Sequence, residues 1–451
     1  MAVVSLNSHM DSTNSTMSSF PNGLALPITV DASTGNSVLW EGETELEFAG
    51  KSESGAAKVT LELIPQPELR FSFVPQVEKN LYDQLLHCPL GDAVIKAGKP
   101  LGDLKVRVAR AADSYSGRVV ANVLDSIGPT RMARFGIING PILHGSPINI
   151  GTTTIAARQK LVTSELEILI DACTVDRPDR SSIFECTHVA QCSFSSPISM
   201  KEVVEVADDL FRTLSLMKLG WVGVLGPWLF DEHGESTEFR AAVTKTTKIR
   251  RPISWYHETM QDTLSQLFPL ISRAFRDKDR MEAIKTAFHW LIESELCAGG
   301  VEGSLILQQA ALECLAWQEI VQSRRICSES GFKSLPASDK IRWLTSLYMI
   351  DPAIPARETD IVAYAKAFNL VDLVDVLVDV RNALVHAEPK KLTKLFSRAN
   401  ANMERIGIWF QAGGLLQQAF LAIIGYSGYV LRRDLDADFS LNAIKLAPWA
   451  K

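Results

Sequence analysis

Apolar and polar positions alternate with a period of two over residues 39–194 and with a helical period from residue 199 onward. The alternating runs are short: 44–48, 59–63, 69–74, 105–108, 119–124, 132–138, 166–170 and 187–194. Glycine and proline punctuate them, among others at Gly50, Pro65, Pro75, Gly117 and Pro129. Short alternating strands between turn residues predict an antiparallel sandwich or barrel. At Ser199 the period lengthens. Ser199 with Glu202 three residues on is a capping-box signature, and apolar residues at helical steps follow to residue 219. The Gly- and Trp-rich segment 221–235 reads as a loop or short strands, and residues 258–276 as helix. From about Asp279 the runs 280–296, 301–326, 338–349, 371–385 and 391–431 all read as helix, joined by short links, which predicts a bundle. The fold class is therefore α+β and multidomain. A disordered, Ser/Asn/Thr-rich tail is expected over 1–22, an antiparallel β-rich domain, sandwich or barrel-like, over 23–198, a connecting helical and loop region over 199–278, and an all-α bundle over 279–451.

One predicted helix stands apart. Over residues 371–389 the polar positions are Asp372, Asp375, Asp379, Asn382 and His386, steps of three and four that make one narrow stripe. Val, Leu and Ala fill the remaining circumference except at Arg381, which is in register with Val374, Leu377 and Val385. A helix apolar on most sides is buried among other helices, and an arginine on that side must keep its charge and find partners. The aspartate stripe is expected to face water or a basic groove of a partner. Pro389 disfavours helix at Glu388, so an end near His386 is expected.

Composition narrows the picture. The chain has 451 residues, 46% hydrophobic and 22% charged, as for a globular protein of two or three domains. A net charge of −6 carries no global nucleic-acid signature, so any RNA contact must be a local patch. Seven cysteines without a Cys-x-x-Cys pair point to reduced thiols rather than disulfides or metal. The N-terminus lacks the basic start and apolar core of a signal peptide. Residues 413–431 are long and mostly apolar but contain Gln417, Gln418, Gly425 and Gly428, and read as a buried helix rather than a membrane span. These features predict a cytoplasmic protein without a membrane anchor. A phosphate-binding Gly-rich loop, a His-Glu-x-x-His pair and a Gly-x-Ser-x-Gly elbow are all absent from the sequence.

The hexapeptide Arg381-Asn382-Ala383-Leu384-Val385-His386 resembles the Arg-x-x-x-x-His signature of the HEPN superfamily of helical domains, and within it the ApeA-like branch linked to defence against phage. Thr187-His188-Val189, Leu214-Ser215, Ser254-Trp255, Ala311-Leu312-Glu313 and Gly425-Tyr426-Ser427-Gly428 are similar to that group as well, over roughly residues 125–449. The resemblance implies an ApeA-type N-terminal domain that senses or regulates, followed by a HEPN bundle. It also implies a homodimer with both motifs facing one groove. Many HEPN members are metal-independent ribonucleases, and others are scaffolds.

The residue chemistry suits cleavage of RNA by its own 2′-OH. Histidine titrates near neutrality and can move the protons, which assigns His386 to proton transfer. The planar, permanently charged fork of Arg381 matches phosphate oxygens. Asn382, one turn before His386, would orient it or hydrogen-bond the substrate. No metal or other cofactor is invoked. Five residues at roughly 100° each put Arg381 and His386 about 140° apart on an ideal helix. Either the helix ends before His386 or a second chain completes the site. The structural alternative has Arg381 paired with a carboxylate such as Glu313 and His386 capping the helix C-terminus. A second candidate surface is the basic run Lys245, Lys248, Arg250 and Arg251, with Trp255 and Tyr256 beside it for base stacking on RNA. Arg273, Arg276, Lys278 and Arg280 form another basic cluster. The expected function is a HEPN-type endoribonuclease; the alternatives are a non-catalytic HEPN interaction or dimerisation module and a nucleotide-binding protein.

Overall fold

The computed structural model describes residues 20–450 except 31–35, 49, 64–65, 77–90, 98–101, 112–113, 123–128, 174–183, 232, 249–253, 387–388 and 436–440. The first seven strands are β1 (Thr29–Val30), β2 (Ser37–Phe48), β3 (Lys51–Glu62), β4 (Glu68–Pro75), β5 (Gly91–Lys96), β6 (Asp103–Ala111) and β7 (Ser114–Asn122). They run in the order β1-β2-β3-β4-β7-β6-β5, and β2 also pairs with β5. Strands β2 to β7 thus close a six-stranded antiparallel barrel, which removes exposed edges. The period-two pattern places Leu46, Val59, Leu61, Phe71, Phe73 and Ile95 inside it. Gly50, at φ 79°, makes the tight return from β2 to β3 that a side chain would strain.

A second antiparallel sheet follows: β8 (Thr130–Ile138), β9 (Ser146–Ile150), β10 (Thr153–Val162), β11 (Leu166–Ala172) and β12 (Cys186–Ile198), then β13 (Gly223–Phe230) and β14 (Ser236–Phe239). Its order is β14-β13-β8-β12-β11-β10-β9. The β architecture therefore does not finish at residue 198. The segment 221–235 supplies β13, which pairs with β8 after the intervening helix α1 (Met200–Lys218). Every residue of β13 is buried. Its Leu225, Trp228 and Phe230 join the barrel's apolar cluster, and its Val224 and Leu229 the other core. A strand covered on both faces loses the alternation that would announce it. Helix α1 begins at the predicted capping box: Glu202 N donates to Ser199 Oγ, and Ser199 N donates to Glu202 Oε2 at 2.8 Å.

Residues 20–22 of the expected disordered tail are held in place, while 1–19 lie outside the described residues. Asn149 N donates to the Pro21 carbonyl, and Leu24 N donates to Asp171 Oδ2, both at 2.9 Å.

The C-terminal region contains nine α-helices among the described residues: α2 (Thr263–Arg276), α3 (Met281–Leu296), α4 (Gly300–Trp317), α5 (Glu329–Ser334), α6 (Ala337–Leu347), α7 (Thr359–Phe368), α8 (Leu373–His386), α9 (Pro389–Phe396) and α10 (Ala401–Ile424). Helix α4 continues into a π turn over Gln318–Ser323. The chain is not helical to its end. Gly425, at φ 85°, terminates α10, and β15 (Tyr429–Leu431) then pairs with β16 (Ile444–Leu446). Among the described residues α10 is the one helix long and apolar enough to cross a membrane, and 78% of its apolar window is buried inside the protein. It is the central helix of the bundle.

Candidate functional site

Helix α8 starts where its own side chains dictate. Asp375 N donates to Asp372 Oδ1 at 2.8 Å, and Val371 N donates to Asp375 Oδ2 at 3.2 Å. These reciprocal bonds satisfy amides that would otherwise be unpaired in the first turn. Arg342 of α6 locks both carboxylates: it reaches Asp372 through Nε at 2.7 Å and Nη2 at 3.0 Å, and Asp375 through Nη2 at 2.5 Å. The hydrogen bond to Asp372 is the main reason the guanidinium holds its proton more tightly than usual. One turn later, Tyr364 Oη of α7 donates to Asp379 Oδ2 at 2.8 Å. Burial, with this hydrogen bond, pushes the Tyr364 phenol up.

The aspartate stripe therefore faces two neighbouring helices of its own chain. It is a seam that ties α8 to α6 and α7. The sequence could not show this, because Arg342 and Tyr364 lie 30 and 15 residues from the carboxylates they hold.

The far end of α8 differs. Val374, Leu377, Val380 and Ala383 are buried in the common core. Arg381 and Leu384 are half-buried, Val385 is 45% exposed and His386 is exposed. The last turn emerges from the bundle, so the apolar register that should have buried Arg381 does not hold there. Arg381 Nη1 donates to Asn382 Oδ1 at 3.3 Å. Among the described residues no carboxylate pairs with Arg381. Glu313 is engaged elsewhere, accepting from Gln309 Nε2 at 2.8 Å and lying 3.8 Å from Lys340 Nζ.

Helix α8 includes His386. It does not stop short of the histidine, so Arg381 and His386 leave one helix in directions about 140° apart. Nor does Asn382 hydrogen-bond His386 among the described residues. Helix α9 begins at Pro389 and packs against α8 and α10. These following elements expose Phe396, Met403 and Ile406.

The basic run divides. Lys245 Nζ lies 2.5 Å from Glu293 Oε1 and 4.8 Å from the centre of the Trp221 ring. The Glu293 carboxylate is held below its ordinary range mainly by its hydrogen bonds with Lys245 and Trp221, against the opposing effect of burial. Lys248 is exposed, and Arg250 and Arg251 lie outside the described residues. Trp255 and Tyr256 are not stacking platforms. Both are buried, with Trp255 Nε1 donating to the Leu216 carbonyl at 2.9 Å and Tyr256 Oη to the Ile142 carbonyl at 3.0 Å. They fasten the helical region to the β region. No hydrogen bond or ion pair among the described residues connects the basic run to α8. In the second basic cluster, Arg276 Nη1 lies 2.8 Å from Asp209 and Arg280 Nη2 2.6 Å from Glu319, so both are structural cations.

Residues 277–435, which contain α8, match the family model described as the YopA C-terminal domain. The chain is also similar to the SPbeta prophage-derived uncharacterized protein YopA of Bacillus subtilis (strain 168), with 24% identity over 362 residues, 76% of this chain and 79% of that protein. No solved structure matches.

Proposed function

We propose that the protein is a metal-independent endoribonuclease of the HEPN type, acting in the cytoplasm, with the exposed C-terminal end of α8 as its site. The observation that carries this reading is the division of one helix. Asp372, Asp375 and Asp379 are each bonded to a neighbouring helix, whereas Arg381, Asn382 and His386 follow in the half-buried to exposed last turns. A cation without a bound carboxylate among the described residues, on the same helix end as an exposed imidazole, suits a phosphodiester better than it suits a structural cap.

In this mechanism His386 exchanges protons with the 2′-OH and the leaving 5′-oxygen, Arg381 steadies the phosphorane charge, and Asn382 keeps the guanidinium oriented. The angular separation within α8 favours a homodimer in which one chain supplies Arg381 and its partner His386. Val385, Phe396, Met403 and Ile406 provide exposed apolar surface on α8, α9 and α10 for that contact. The prophage origin in the relative's name supports a phage-related setting, with the barrel and second sheet as sensor or regulator.

The test is cleavage of RNA by purified protein in EDTA. Products with 2′,3′-cyclic phosphate ends are expected from wild type and not from His386→Ala. Cleavage by His386→Ala at the wild-type rate would remove the assignment.

A further inference from the structure

Residues 20–28 lie across the second sheet as a bound peptide would. One row of that sheet consists of directly opposed residues: Arg158 on β10, Asp171 on β11, Val189 on β12, Gly136 on β8 and Leu225 on β13. Opposed residues share a face of the sheet. Their chain neighbours Ile170, Ala190, Phe135 and Ile137 point the other way, into the core shared with the helices. The N-terminal segment follows the row. Asn149 Nδ2 of β9 donates to the Phe20 carbonyl at 2.8 Å, and the Asn149 main chain bonds the Pro21 carbonyl and Gly23 N, both at 2.9 Å. Arg158 Nη2 donates to the Asn22 carbonyl at 3.2 Å, Leu24 N donates to Asp171 Oδ2 at 2.9 Å, and Arg134 Nη1 donates to the Ala25 carbonyl at 3.1 Å. Leu26 then takes the space over Gly136, where a Cβ would lie 2.9 Å from Leu26 Cδ1.

We propose that this row is a binding track for an extended peptide. Residues 20–28 hold it in cis, and a segment of the same pattern takes it in trans. The hydrogen bonds named above all go to the main chain of the segment, which is how an extended ligand is read independently of most of its side chains. The acceptor for Leu24 N is fixed in advance: Asp171 is fully buried and clamped by Arg158 through Nε at 2.8 Å and Nη2 at 2.6 Å. Side-chain selection is left to the positions facing the sheet. Leu24, Leu26 and Ile28 are half-buried, whereas Ala25 and Pro27 between them are exposed. A side chain at Gly23 would meet Asn149 and Ile150 at ordinary contact distance, so the track does not demand glycine there. The ligand class is therefore an extended peptide with a leucine two residues after the amide that meets Asp171.

The track lies at the joint between the two β structures. Leu26 and Ile28 pack against the barrel's apolar cluster, and β1 follows at once and pairs with β2. A peptide that displaces residues 20–26 would therefore undo one tie between the barrel and the second sheet. The inference is independent of any ribonuclease activity.

Fluorescence anisotropy with a labelled synthetic peptide of residues 20–28 tests it on the full-length protein. Wild type holds its own segment at an effective concentration on the order of millimolar, so the added peptide should bind it weakly. Full-length Leu26→Ala, whose own anchor is cut back, should bind the peptide at least about tenfold more tightly. Binding should be lost when the peptide carries Leu26→Asp, or an N-methyl group on the Leu24 amide that removes the donor to Asp171. A second measurement needs no variant. With peptide in excess of that effective concentration, hydrogen exchange of the wild-type chain's own residues 20–26 should quicken while β10 and β11 keep their protection. Failure of folded Leu26→Ala to bind the peptide, or equal binding of the Leu26→Asp peptide, would overturn the proposal. So would unchanged exchange of residues 20–26 in wild type, which decides the matter alone if Leu26→Ala does not fold.

Discussion

The polar stripe of α8 runs at one helical step from Asp372, Asp375 and Asp379 to Asn382 and His386, and its two ends are treated oppositely. At the N-terminal end each carboxylate finds a partner on a neighbouring helix: Arg342 for Asp372 and Asp375, Tyr364 for Asp379. At the C-terminal end Arg381 touches its neighbour Asn382, and His386 is exposed. The difference teaches that a polar stripe is not one functional unit. Half of it is mortar between helices. The other half, beyond the Arg381–Asn382 bond, spends no hydrogen bond on a neighbouring helix among the described residues, and it is there that the proposed chemistry is placed.

Replacing residues at the two ends should therefore produce opposite phenotypes. The largest effect is expected at the open end. Arg381→Ala and His386→Ala should each lower RNA cleavage on the order of 10²–10⁴-fold while changing stability by less than about 1 kcal/mol. The apolar register alone had suggested a costly Arg381→Ala, but a half-buried arginine with one neighbouring amide as partner has little to lose. Mixing the two inactive proteins should restore partial cleavage if the site is shared across a dimer. A large fall in Tm for either variant would show that the open end is structural after all.

At the closed end the pattern should invert. Arg342→Ala leaves Asp372 and Asp375 without their cation, and both are mostly covered. Loss of a partly buried, hydrogen-bonded pair should cost about 2–4 kcal/mol, read as a lower denaturation midpoint. Tyr364→Phe should cost about 1–2 kcal/mol, since it removes one hydrogen bond to a charged group. Neither variant should lower the cleavage rate per folded molecule. A specific loss of activity in Arg342→Ala would mean that the seam reaches the site.

How far the sequence announced this structure depends on whether the signal was local. The capping box at Ser199, the period-two barrel strands and the buried face of α8 were legible, because each is written within a few residues of chain. Strand β13 was not, since burial on both faces erases alternation. The partners of the aspartates were not, since the bundle brings them from 15 and 30 residues away. Trp255 and Tyr256 were misplaced as surface aromatics because a basic neighbour says nothing about where a ring points. The proposed site residues stand out in the sequence only as a motif, while the angle between Arg381 and His386 depended on where α8 ends.

The pH response sharpens the comparison by separating His386 from a second histidine. His188 is buried beside Thr187, and burial lowers its pKa to about 4. Its unfolded value is near 6.5, so between these values the unfolded chain takes up a proton that the folded protein refuses. Stability is full above pH 6.5 and falls as pH drops towards 4, by about 3 kcal/mol at most. His188→Gln should flatten the stability profile over that window and leave cleavage at pH 7 unchanged. Activity lost in acid that His188→Gln retains belongs to unfolding, and only the remainder can be assigned to the site on α8.

The smallest effect tests whether the rule drawn from α8 extends to the basic run. Lys245 is engaged: its ammonium sits between Glu293 and the face of Trp221. Lys248, three residues on, is exposed. If engaged charges hold the fold and open ones meet RNA, the two lysines should separate cleanly. Lys245→Ala should lower stability by about 1 kcal/mol, through a lost cation–π contact and an exposed ion pair, and leave RNA affinity unchanged. Lys248→Ala should leave the melting temperature unchanged, weaken binding of a single-stranded RNA about twofold, and reduce the salt slope of binding by about 0.7, the share of one phosphate contact on a single strand. Fluorescence anisotropy on catalytically silent His386→Ala protein would measure both without cleavage of the probe. Equal losses of affinity at the two lysines would show that pairing within the chain does not predict which charges are spent, and the contrast between the two ends of α8 would lose its force as a guide to the site.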